Sequence, residues 1–448
     1  MTGIVARFID RFRDDWRGAW LSLLCGVAVL FAFSQAWQAP LFGYSTDQLR
    51  WGAVIRVFYY PFYGCGFFLA WRAWRRLLDA TWRTPFMMTL ISLCAVSYFW
   101  SIDPSGTMRR LIALFMTILC AYAIAARFSW RRLTEVLAIA YLIMMSMSIV
   151  LAVAFPHLGK MQELFVGAWR GVWLEKNSLG NNMAIGFVAS AAAALHNPQR
   201  RCFWGLVAMG MVGTLLMSTS KTALVAAIIG SCGMAFVFLS RRGPVWGIVL
   251  SWIGVTLLMC LAGFMLYAPD HIFLLLGKDP TLTGRTFIWD GIARVMEKRP
   301  LLGYGYGVVW TDEDAYAPLA KITQVAGFRA YHAHSCWFEV WLALGIVGLC
   351  VWAMTFADTW IKGFYRSFRG DGGYFALPML AIYSLSSLTE SMALGWNDLR
   401  WALLVMVLVK LSLPDDRDSV VGTGEESKTP HHQRARARRS PSPQSGEA

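Results

Sequence analysis

The chain has 448 residues, 57% of them hydrophobic and only 15% charged, with a mean hydropathy of +0.47. That is too apolar for an ordinary soluble domain and places the chain in a bilayer. Its net charge of +14 falls mostly on loops and the C-terminal tail, which marks membrane topology and leaves nucleic-acid binding without support.

In chain order, apolar runs near the length of about 20 residues that crosses hydrocarbon recur at 19–38, 52–71, 85–100, 108–126, 134–155, 179–195, 203–218, 222–239, 246–267, 334–357, 374–390 and 395–413. They predict an all-α polytopic membrane protein with about twelve transmembrane helices. Cationic loops stay cytoplasmic. With the N-terminus inside, every second loop is basic: Arg7, Arg11, Arg13 and Arg17; Arg72, Arg75, Arg76 and Arg83; Arg127, Arg131 and Arg132; Arg200 and Arg201; Arg241 and Arg242; Lys362, Arg366 and Arg369.

The expected organisation is a cytoplasmic N-terminus over 1–18, a bundle over 19–267, a periplasmic loop with short helices over 268–333, the remaining spans over 334–413, and a cytoplasmic tail over 414–448. The first span shows no small-residue cleavage site and reads as an uncleaved anchor. The tail, rich in Ser, Pro and Arg, has no apolar face and reads as disordered. The nine cysteines lie mostly within apolar runs, without metal-ligand spacing, and read as small core residues.

Ionisable residues near membrane depth are costly and point to function. Those outside the positive-inside pattern are Arg56, Arg109, Arg110, Arg170, Lys176, Lys221, Arg285, His334, Glu339, Glu390, Asp398 and Arg400. Cations gathered on the external half suit an anionic ligand. Taken singly, each also has a plainer reading as an interfacial anchor or a structural ion pair.

Four stretches sharpen this. In RGVWLEKNSLGNNMA, residues 170–184, Arg170 and Lys176 precede an apolar run and Asn177 is placed to cap its helix; a helix N-terminus beside cations suits phosphate. In STSKTALVA, residues 218–226, Lys221 stands in a tight turn between two runs. In TGRTFIWDGIARVMEKRPLLGYGYG, residues 283–307, Thr283 or Gly284 can start an amphipathic helix on the bilayer or bundle top. Its apolar face is Phe287, Ile288, Gly291, Ile292, Val295 and Met296. Arg285 falls in the first turn, where the dipole disfavours a cation unless an anion is bound, and GYGYG reads as a flexible turn. In YHAHSCWFEVWLALGIVG, residues 331–348, His334 sits where loop becomes helix, as either a satisfied interfacial side chain or a general base. Glu339, five residues on, is off its stripe. His332 and His334 lack the partners of a zinc site.

The succession of KN-x-LG, S-x-SKT, GR-x-x-x-W with P-L-L-G-x-G-x-G, and HS-x-x-x-E-x-W-x-x-x-G-I-x-G resembles the O-antigen ligase and polymerase superfamily over roughly residues 90–410, with forms most like its exopolysaccharide-production branch. The resemblance implies a metal-independent, inverting glycosyltransferase without cofactor. Its donor is an oligosaccharide linked through diphosphate to a polyprenol, its acceptor a glycan hydroxyl, and its site the periplasmic face of a bacterial inner membrane. By motif, His334 looks like the acceptor-activating base and Arg285 like a diphosphate ligand, with His332 the weaker match. Lys221 stands where many relatives hold arginine, keeping the charge but losing the fork. Arg170, Lys176, Asn177 and Glu390 complete the expected substrate-binding set, with no metal ligand. Polymerisation is the first expectation, ligation of O-antigen to lipid A core the second. A transporter or flippase of lipid-linked sugars is the reading from another class, and a flippase and polysaccharide export machinery are conceivable partners.

Overall fold

The computed structural model describes residues 16–44, 51–163, 165–267, 284–312 and 314–414. Thr283 with the first part of the long loop, the N-terminal segment before Trp16 and the tail beyond Pro414 lie outside them. The chain divides into Trp20–Asp416 and a unit of the two terminal segments, Met1–Ala19 with Arg417–Ala448; the first unit carries everything that follows.

Each apolar run falls on a helix: α1 (Trp16–Phe33), α2 (Gly52–Arg72), α4 (Pro85–Val96), α5 (Pro104–Arg127), α6 (Trp130–Ala154), α7 (Lys176–His196), α8 (Arg201–Met217), α9 (Lys221–Ser240), α10 (Pro244–Tyr267), α13 (Cys336–Ser367), α14 (Gly373–Thr389) and α15 (Leu399–Ser412). The polar helices α3 (Trp74–Arg83), α11 (Arg285–Met296) and α12 (Pro318–Ala326) lie between them. Among the described residues seven helices are long and apolar enough to cross a membrane: α2, α5, α6, α7, α9, most of α10, and α13. The protein is thus an all-α polytopic membrane protein, with several shorter apolar helices beside those seven. The core is built where α7 meets α6, α8, α9 and α14, and where α5 meets α2 and α15. Trp401 through Leu411 of α15 are buried on every side, as expected of a helix apolar all round.

The basic loops meet at one end of this unit. Lys362 Nζ donates to the Arg83 carbonyl, Arg76 to that of Ala126, and Arg241 to those of Ser367 and Gly370. Arg131 donates to Asn197, and Arg200 pairs with Glu135. A different set of segments meets elsewhere: Trp173 with Ser34, Trp169 with Met217, Trp100 with Leu302 and Arg285 with Thr389.

The GYGYG segment is not the flexible turn its glycines predict. α13 is broken at Gly345, where φ is 65° and ψ is −165°, a region essentially restricted to glycine. The break strips partners from the surrounding backbone, and residues 300–305 supply them. Tyr304 and Gly305 amides donate to the Leu342 and Ala343 carbonyls at 3.1 and 3.0 Å, and Ile346 and Val347 amides donate to those of Pro300 and Leu301 at 2.9 and 3.3 Å. Left unpaired in a buried place, each such group costs about 1–3 kcal/mol, so the segment and the break stabilise each other. The Tyr304 hydroxyl donates to the Val295 carbonyl and that of Tyr306 to the Leu394 carbonyl. A side chain at Gly345 meets the Leu301 carbonyl.

Helix α11 starts at Arg285 behind Gly284 in the left-handed region. Ile288, Gly291, Ile292, Val295 and Met296 are buried as expected, but Phe287 is exposed. The apolar face lies on α12, Tyr304 and Leu342, so it forms a small core of its own.

Candidate active site

The segment Tyr331–Ser335 leads into α13, and the Ala333 peptide in its middle is held at both ends. Its N–H donates to Glu339 Oε1 at 2.7 Å, and its carbonyl accepts from Trp289 Nε1 at 2.8 Å. Glu339 Oε2 accepts from Trp310 Nε1 at 2.8 Å. The Trp289 indole stacks on Phe338 at 5.1 Å with 8° between the planes. On either side of that peptide stand His332 and His334, their ring centroids 3.9 Å apart. His334 has φ 53°, a left-handed conformation that costs a non-glycine residue about 1–3 kcal/mol and persists only where surroundings dictate it.

Among the described residues neither histidine Nδ1 has a hydrogen-bond partner. Burial, then Arg285 and Arg400, push His332 down to about 4. Burial, then His332 and Arg285, push His334 down to about 3. Both rings are therefore neutral at pH 7, and they accept a proton less readily than the ordinary value of about 6.5 implies.

Arg285 opens α11, yet its position needs no bound anion to explain it. Nη1 donates to the Thr389 carbonyl at 2.6 Å, and Nη2 lies 3.9 Å from Glu390 Oε1. Thr389 ends α14, so the guanidinium that opposes one helix dipole satisfies the negative end of another. Glu390 is also an electrostatic neighbour of Arg400, which pairs with Asp398 at 2.8 Å. Asp398 caps α15 by accepting from the Arg400 and Trp401 amides. Charges thus alternate through Arg285, Glu390, Arg400 and Asp398, with His332 in the field of both arginines and His334 in that of Arg285. A small cavity between α7 and α14 reaches this chain, lined by Asn181, Tyr383, Ser386, Met392 and Arg400 among others.

The KN and SKT stretches meet each other. Asn177 does not cap α7: the N-cap is Glu175, and Asn177 Oδ1 accepts from Ser220 Oγ at 2.9 Å. Ser220 in turn caps α9 through the Ala223 amide. Lys176 Nζ reaches Thr219 Oγ1 at 3.3 Å and lies over the Phe165 ring, with Lys221 as its electrostatic neighbour. A side chain at Gly180 falls 2.6 Å from Ala223 Cβ, so the glycine of KN-x-LG lets α7 and α9 approach. Asn181, one turn beyond Asn177, lines the cavity that Arg400 also lines.

Arg170 joins neither group. Its Nε and Nη2 donate to the Leu158 and His157 carbonyls, and its guanidinium lies over the Tyr44 ring at 4.1 Å. Burial, partly offset by Tyr44, lowers its pKa. Sequence reasoning missed the hold of Glu339 on Ala333; the HS-x-x-x-E spacing was its one trace. It also left Asp398 and Arg400 outside the site, although both were visible as ionisable residues. Among the described residues no group of three or more His, Cys, Asp or Glu is arranged to hold a metal.

A family model described as O-antigen ligase matches residues 206–353. The chain resembles the O-antigen ligase family. That segment holds Lys221, Arg285, His334 and Glu339, whereas Arg170, Lys176, Asn177, Glu390 and Arg400 fall outside it. A curated relative, the exopolysaccharide production protein ExoQ of Rhizobium meliloti (strain 1021), is 26% identical over 351 residues, covering 76% of this chain and 77% of the relative. The O-antigen ligase resemblance and its exopolysaccharide-production form thus have support apart from the motifs.

Proposed function

We propose that this protein is an inner-membrane glycosyltransferase that joins polyprenyl-diphosphate-linked oligosaccharide repeat units into an exopolysaccharide at the periplasmic face. The observation that carries the reading is the His334 ring set against His332 within the field of Arg285, its Nδ1 without a hydrogen-bond partner among the described residues. In this reading a ring nitrogen of His334 takes the proton of the acceptor hydroxyl. The acceptor oxygen bonds to the anomeric carbon as the bond to the diphosphate oxygen breaks, inverting the centre. Fixed cations stabilise the charge that grows on the leaving diphosphate. Arg285 and Lys221 supply it, Lys176 adds field, and Glu390 accepts from a sugar hydroxyl once the donor displaces its loose contact with Arg285. Arg170, bound to carbonyls and Tyr44, serves instead to shape the loop before α7. About twelve spans, with residues 268–333 external, bring the loop and the bundle end together over the lipid headgroup.

The test is reconstitution in lipid nanodiscs with a lipid-linked repeat unit and excess EDTA. Wild type and Lys221→Arg should lengthen the glycan, while Arg285→Ala should not. Transfer only to lipid A core would make the protein a ligase. Movement of the lipid-linked sugar without a new glycosidic bond would make it a transporter, and a strict need for divalent cation would overturn the mechanism.

A further inference from the structure

We infer that Glu339 is a positioning residue: with the Trp289 and Trp310 indoles it fixes the Ala333 peptide and so sets where the His334 ring stands. The kinetic part of this inference rests on the role proposed above for His334; the structural part does not.

A carboxylate near the start of a helix ordinarily serves its own helix, by accepting from first-turn amides or by complementing the dipole. Glu339 does something else. The amide it takes belongs to Ala333, two residues before the N-cap Ser335, and its other oxygen takes the indole N–H of Trp310, far away in the loop. The Ser391 hydroxyl bonds to it as well, and Ser391 also accepts from the Ser335 amide. Trp289 closes the arrangement from the opposite side. Its N–H holds the Ala333 carbonyl while its ring lies on Phe338, the residue preceding Glu339. One residue, Ala333, is thus pinned at N–H and C=O by groups from α13 and α11, the carboxylate in turn held by the loop, and a histidine flanks it on each side. The left-handed backbone of His334 is what such pinning imposes.

The site demands two accepting atoms and not merely a polar group. Both oxygens face N–H donors, from Ala333 and Trp310, so each must accept. A glutamine of the same shape has one accepting end and one donating end; in either orientation it sets N–H against N–H and releases one anchor. Glu339→Gln should therefore free the segment while leaving Arg285 and Lys221 in place. Because a misplacement of about 1 Å can cost about 10² in rate, kcat should fall by that order while KM for the lipid-linked donor stays close to wild type. Adding Trp310→Phe removes the opposing donor, lets the glutamine oxygen turn to Ala333, and should restore part of kcat.

A second reading needs no turnover. Diethyl pyrocarbonate labelling of His332 and His334, followed by peptide mass spectrometry on detergent-purified protein, should run several-fold faster in Glu339→Gln than in wild type. Wild-type labelling in that variant overturns the inference. Faster labelling with unchanged kcat sustains the hold on the segment and removes His334 as the base. If Glu339→Gln fails to accumulate, Trp289→Phe, which removes the donor to the Ala333 carbonyl and trims the stack on Phe338, is labelled instead, and an unchanged rate overturns the inference.

Discussion

In the proposed mechanism His334 meets two opposed demands. It must be neutral to accept a proton, and burial beside Arg285 ensures that by pushing it down to about 3; yet so depressed a ring is a weak base. A diphosphate against Arg285 cancels the cationic part of that pressure, so the occupied site should raise the ring toward the ordinary value of about 6.5. The kcat/KM profile reports the free enzyme and kcat the complex. We therefore expect no histidine limb in kcat/KM between about pH 5 and 8, and a kcat limb at higher pH than any limb in kcat/KM, both read from pH–rate profiles. Coincident limbs would place His334 outside the donor's field. His334→Ala should cost about 10² to 10⁴ in kcat. His332→Ala is not the silent control its weaker motif match predicts, since it removes a covering ring and a like-charge neighbour, and should move the His334 limb upward. The same depression bears on stability. The folded pKa lies below the unfolded value, so the unfolded chain binds more protons. The stabilisation is whole above about 6.5 and is lost as pH falls through about 4 and about 3 for His332 and His334.

Among elements, the break in α13 decides how the loop is attached to the bundle. Gly345→Ala places a side chain into the Leu301 carbonyl and forces alanine into a glycine-only conformation, worth about 1–3 kcal/mol of strain before the collision is counted. The variant should melt several degrees lower in detergent and be cut by protease within residues 300–307, where wild type resists; equal resistance would refute the account of the break. This junction also marks the limit of what the residues reveal in one dimension. Apolar runs locate the helices because crossing hydrocarbon takes about 20 consecutive apolar residues, and the motifs place Lys221 and Arg285 at the starts of helices and His334 just ahead of one. GYGYG was misread because glycine signals local freedom, whereas its partners are backbone groups about 40 residues away that carry no side-chain signature. Asn177 was misread as a cap because capping is the local use of asparagine, and its real partner, Ser220, comes from the next motif. Arg285 seemed to require an anion because the helix end that receives it, Thr389, lies 104 positions along the chain.

At the scale of the whole molecule the question is which end faces which compartment. The basic loops predicted to share the cytoplasmic face do converge, through contacts such as Lys362 with Arg83, Arg131 with Asn197 and Arg241 with Gly370. The segments before α5, α7, α9, α13 and α15 bond to none of those loops among the contacts named above. The end that gathers the basic loops should be sorted to the cytoplasm by the positive-inside bias, worth most for Lys and Arg within about 15–20 residues of a span. The proposed orientation sets the histidine and arginine cluster on the external side, where the proposed lipid-linked donor presents its sugar. A cytoplasm-active reporter fused within residues 308–325 should therefore be silent and a periplasm-active phosphatase at the same point active, with the reverse pattern for fusions between Arg369 and Gly373. Cytoplasmic activity at 308–325 would invert the molecule and remove the external donor on which the proposed chemistry depends.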